Sequence, residues 1–171
     1  MVKLAIICLL VQEAPDSIEL VRQGYLEIGK AVTIGRRFED YQWFDEFHWT
    51  QEALAEGEAR VTFNGTISDQ KAIEAFESRN RYRFRFAFKA MQLAPTYRLT
   101  KEKEALSFLI RFKVAADGTF KVVSGMLGIR DKNQQTWRFE PLTDKALVYV
   151  LRGIYRNEDP YTCLVNGLPY K

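Results

Sequence analysis

The sequence predicts an α+β fold: an antiparallel sheet of about four to six strands with helices packed on one face. Three observations carry this expectation. First, several stretches alternate with period two. Val61, Phe63, Gly65 and Ile67 oppose Arg60, Thr62 and Asn64, and Leu106, Phe108, Ile110, Phe112 and Val114 oppose Arg111 and Lys113. Tyr82, Phe84, Phe86 and Phe88 alternate in the same way with Arg81, Arg83, Arg85 and Ala87. A 3.6-residue helix would scatter each of these sets around its axis, whereas a strand separates them onto two faces. Second, Asp117-Gly118 stands between two apolar alternations, which is the turn chemistry of a hairpin. Third, Ala146, Leu147, Val150, Leu151 and Ile154 follow Thr143-Asp144 at helical spacing, as a capped amphipathic helix would place them.

Taken in order, the opening run Leu4–Val11 is apolar and short. It fits a buried strand better than a secretory signal, because Gln12-Glu13-Ala14-Pro15 lacks the small residues of a cleavage site and Ile6-Ile7 precede Cys8 where a lipidation signal has small ones. Pro15-Asp16-Ser17 opens a helix whose inner stripe is Ile18, Val21, Tyr25 and Leu26 and whose stop is Gly29. Ile34, Phe38 and Tyr41 mark a second short helix after Thr33. Strands are expected over about 43–51 and 58–67, then a helix from Ser68-Asp69 to about Ser78, then the aromatic–arginine strand up to Pro95. Thr100–Glu104 reads as a turn or helical insert. The hairpin strands, a short strand at Trp137–Phe139, the helix over about 145–156 and a turn-rich tail complete the chain. Residues 1–14 are thus an apolar strand or degenerate signal, 15–140 the α+β domain, and 141–171 a helix and tail packed on it. No run approaches the ~20 apolar residues of a membrane-spanning helix.

Charge is uneven. The 171-residue chain has a net charge of only +3, but residues 1–70 carry 12 acidic and 6 basic side chains, and residues 81–121 carry 10 basic and 3 acidic. A strong polyanion binder by bulk charge is excluded, and a basic sheet face beside acidic helices is expected. Cys8 and Cys163 form no zinc spacing, and sequence leaves open whether they pair or stay free.

The pieces Leu20-Val21-Arg22-Gln23-Gly24-Tyr25-Leu26, Thr33–Tyr41, the aromatic strand ending in Trp49, Ala59–Gly65, and Phe112-Lys113-Val114 with Asp117–Phe120 resemble small bacterial envelope or lipoprotein-type α+β proteins of cystatin-like shape. The resemblance covers about two-thirds of the chain. It implies a cystatin-like or NTF2-like roll and a periplasmic or envelope location, with the cytoplasm as the alternative, and it supplies no catalytic residues.

No catalytic constellation, metal spacing or phosphate loop is present, so no cofactor or metal is expected. His48 is the only histidine. With Tyr41, Asp45 and Trp49 it forms the candidate lining of a pocket. In a strand, however, Asp45 and His48 point to opposite faces. Arg81, Arg83, Arg85, Lys89, Arg111 and Lys113, joined by Lys121, are the candidate partner-binding face. Single-stranded nucleic acid would want stacking aromatics on that same face, and alternation puts them on the other. The expectation is therefore a non-enzymatic interaction or assembly module with a protein partner or a second copy of itself. A ligand-binding or enzymatic cone-shaped domain is the alternative, and nucleic-acid binding through the basic face the third reading.

Overall fold

The computed structural model describes residues 16–68, 70–71, 103–131 and 136–160. The expected N-terminal strand, both cysteines, the aromatic–arginine strand with Arg81, Arg83, Arg85 and Lys89, and the tail beyond Pro160 lie outside these residues.

Helix α1 spans Ser17–Gln23, with the Asp16 carboxylate accepting from the Ile18 amide at 3.0 Å. It is shorter than its apolar stripe suggests. The Gly24 amide closes back on the Val21 carbonyl, and the Gly24 carbonyl accepts from Ile34, which draws the chain off the helix axis. Tyr25, expected on the buried stripe, is accordingly 54% exposed. A single 3-10 turn follows at Glu27–Gly29, and helix α2 covers Ile34–Glu39, capped by the Thr33 hydroxyl.

Five strands follow: β1 (Glu46–Ala53), β2 (Ala59–Ser68), β3 (Lys103–Val114), β4 (Phe120–Asp131) and β5 (Trp137–Pro141). They form one antiparallel sheet in chain order, a meander with each strand beside its predecessor. Lys103 and Glu104 belong to β3 rather than to a turn or helical insert, because pairing with β4 extends to Asp131 and overrides their local charged composition. At the other end of the hairpin, Gly118 alone takes positive φ (+82°), and the Ala115 and Thr119 backbones close the loop. Ser68 accepts from the Lys71 amide, the geometry of the expected helix start. Helix α3 (Asp144–Arg156) closes the described chain. Thr143 caps its first turn, and Asn157 in the left-handed region ends it.

The three described helices α1, α2 and α3 pack on one face of the sheet. Val21, Ile34, Phe38, Val150, Leu151 and Ile154 meet Val61, Phe63, Ile67, Leu106, Phe108, Ile110, Phe112, Leu127 and Ile129 in a single apolar cluster. Its centre is Phe63, whose ring lies 4.8 Å from Phe38, 4.9 Å from Trp49 and 5.4 Å from Phe44 between centroids. Edge-on contacts of this kind add to the burial of the rings themselves. Arg22 ties the layer together: its guanidinium donates to both carboxylate oxygens of Glu39 (2.7 and 3.1 Å) and to Glu19, and Trp49 Nε1 donates to Glu39 from β1. No described helix is long and apolar enough to cross a membrane.

Candidate interaction face

Strand parity decides what the opposite face, which meets none of the described helices and is called helix-free in that sense, carries. Because Val61, Phe63, Gly65 and Ile67 are buried in the core, Arg60, Thr62, Asn64 and Thr66 point away from it. The register then aligns cross-strand ranks. Glu52, Arg60, Lys113 and Lys121 stand opposite one another across β1 to β4, and Thr62, Arg111 and Ser124 form the next rank. Further along come Asn64, Leu109, Met126 and Pro141, then Thr66, Ser107, Gly128 and Phe139. The face is therefore basic at the hairpin end and increasingly apolar toward β5.

The register slips between Arg111 and Phe112, where β3 pairs Arg111 with Ser124 but Phe112 with Val122. Val123 is the extra residue of a β-bulge. Bulges re-aim side chains, and this valine is 46% exposed. The doublet Val122-Val123, which breaks the alternation of β4, is the sequence signal for it. The sequence reading passed over Val123 and Arg60.

Of the cations, Arg60 pairs with Glu52 at 2.9 Å and Lys113 with Glu58 at 2.7 Å. At the far end, the Phe139 ring lies over Gly128, where an added Cβ would sit 2.7 Å from it, and over the Ser107 side of the strand. Ser107 is 1% exposed and donates from its hydroxyl to Asn64 Oδ1. The Arg130 guanidinium sits 5.2 Å from the Trp137 ring centre, and Trp137 and Phe139 stack with centroids 6.2 Å apart. Phe139 itself remains 37% exposed.

The four residues expected to line a pocket go to different places. Tyr41 is buried in the core, with its hydroxyl donating to the Glu158 carbonyl at 2.7 Å. Trp49 is on the core side of β1, stacked near Phe38 at 6.0 Å. His48, its neighbour in the strand, is exposed on the helix-free face opposite Asn64. Asp45 precedes β1 and accepts from the Ser68 amide at 2.6 Å and from Lys71 at 3.0 Å. Burial pushes the Asp45 pKa up, but hydrogen bonds from Ser68 and the Lys71 charge together hold it below the usual aspartate value.

An open depression of about 510 Å³ lies elsewhere, lined by Glu27, Ile28, Arg152, Tyr155 and Arg156. The Tyr155 hydroxyl is shut off from solvent, and burial raises its pKa, opposed in part by the nearby Leu26 backbone and the Arg37 charge. Among the described residues, no group of three or more His, Cys, Asp or Glu side chains could hold a metal ion. No family model, characterised protein or solved structure matches the chain.

Proposed function

We propose that this protein is a non-enzymatic interaction module that docks a protein partner on the helix-free face of its sheet. The observation that carries the reading is the state of that face. Among the described residues it meets no helix, and it presents Val123 and Phe139 to solvent beside the polar and basic ranks. Exposed apolar side chains rimmed by polar ones mark surfaces that meet other proteins. A cystatin-like or NTF2-like roll, with helices held against one side of a bulged sheet, is the finer fold we propose with this reading.

The test uses the full-length chain immobilised in extract of its native source, with bound protein and nucleic acid both identified. A protein retained near one-to-one stoichiometry is expected to be lost from the Val123→Glu/Phe139→Ser variant, with circular dichroism establishing that the variant is folded. Retention of that partner by the folded variant, or capture of nucleic acid alone, would overturn the proposal.

A further inference from the structure

The basic end of the helix-free face carries a local conflict that the fold itself does not resolve. Arg60, Lys113 and Lys121 occupy one cross-strand rank on three adjacent strands, so like charges stand directly opposite, an arrangement that is destabilising. Glu52 relieves Arg60 and Glu58 relieves Lys113. Among the described residues, Lys121, at the end of the rank, and Arg111, one rank inward, pair with no carboxylate. The bulge sets Val123 into the same corner: its neighbours along the chain are Val122 and Ser124, and Ser124 faces Arg111. An exposed apolar side chain thus sits beside two uncompensated cations.

We infer that this corner binds an extended acidic segment of a partner protein, its carboxylates on Arg111 and Lys121 and an apolar side chain on Val123. The inference rests on the interaction-module reading and supplies the partner's chemistry. Spacing sets the register of such a segment. Adjacent strands lie about 4.8 Å apart and the residue repeat on one face of a strand is about 6.6 Å, so Arg111 and Lys121, one strand and one rank apart, stand roughly 8 Å from each other on the diagonal, within reach of carboxylates at alternate positions of an extended segment. Because successive side chains of such a segment point to opposite sides, the apolar side chain that meets Val123 stands at the next alternate position, on the same face as the carboxylates. Nucleic acid fits less well, since the ranks at this end, Arg60–Lys113–Lys121 and Thr62–Arg111–Ser124, offer no aromatic ring for a base to stack on.

The experiment is fluorescence anisotropy of the full-length protein with three labelled probes: a peptide with Glu, Glu and Leu at alternate positions and Ser between them, a length-matched Gln/Leu peptide with Gln in place of each Glu, and oligo-dT. The acidic peptide is expected to bind with Kd on the order of 10–100 μM. Binding should weaken at least tenfold, an order-of-magnitude figure, when salt rises from about 0.1 M to about 1 M and the screening length falls from ~10 to ~3 Å. Arg111→Glu and Lys121→Glu should each weaken it by a similar factor, and Val123→Ser by a smaller one, while Arg111→Lys, which keeps the positive charge, should hold most of the affinity. Equal binding of the Gln/Leu peptide, tighter binding of oligo-dT, or indifference to the two charge reversals would overturn the inference. A native partner released by Val123→Glu/Phe139→Ser but held by the charge reversals would overturn it too, while leaving the interaction-module reading standing. Failure of both sets of variants to release a partner would remove that broader reading as well.

Discussion

Asp45 shows how one side chain can fasten two elements. Its carboxylate accepts from the Ser68 amide where β2 ends and is paired with Lys71, which also donates to the Gln42 and Phe44 carbonyls. The loop before β1 is thereby fixed to the start of the next helix. Because the folded pKa lies below the usual aspartate value, the ionised form is the one that stabilises the fold. Its contribution is complete above the unfolded pKa of about 3.9 and disappears as pH falls through the lower folded pKa. Asp45→Asn should therefore cost stability at neutral pH, about 1 kcal/mol or less because both partners remain partly solvated. Urea unfolding across pH checks this. The gap between the native protein and the variant is expected to stay constant from neutral pH down to about pH 5 and to close below about pH 4. A gap that widens on acidification would show that the carboxylate acts through something other than these hydrogen bonds.

At the scale of single elements, helix α3 is held at its first turn by Thr143, whose hydroxyl accepts from the Ala146 amide at 3.2 Å. Thr143→Ala should cost about 1 kcal/mol and Thr143→Ser much less, measured as shifts in the denaturant midpoint; equal losses from both would assign the effect to the threonine methyl instead. This helix was legible in the sequence because cap, apolar stripe and stop all agree. So were β2 and β3, whose alternation leaves only one assignment of faces, and with them the outward placement of Arg111 and Lys113. Elements decided by tertiary contact were harder to read. The stripe of α1 continues into Tyr25, yet the helix stops earlier because the Gly24 carbonyl is taken by Ile34, a partner that sequence does not reveal. Lys103 and Glu104 look like a turn until β4 is present to pair with them. The pocket grouping of Tyr41, Asp45, His48 and Trp49 came from proximity in sequence. Strand parity alone separates His48 from Trp49, and the Tyr41 hydroxyl is committed to Glu158, far along the chain. The bulge at Val123 was visible as a break in alternation, but which face the extra residue would join depends on its partner strand.

For the molecule as a whole, the decisive feature is that helices and sheet share one core. Phe63, fully buried on β2, touches the ring of Phe38 from α2, that of Trp49 from β1 and that of Phe44 from the loop between them. Phe38 in turn reaches Tyr155 of α3, with ring centroids 6.5 Å apart. No described helix can therefore leave without opening the cluster to water. Phe63→Ala removes a ring at the centre of that cluster and should cost about 3–5 kcal/mol. For a domain whose total stability is of the order of 5–15 kcal/mol, that is a large share. The loss should lower the stability of helices and sheet together. Tryptophan fluorescence, which reports on Trp49 beside Phe63, and far-ultraviolet circular dichroism, which reports on the backbone, are expected to give coincident urea transitions in the native protein and in Phe63→Ala, with the variant's shared midpoint lower. Separate midpoints in the variant would mean that the helices draw their stability from contacts other than this core, and that the helix layer and the sheet unfold as distinct units.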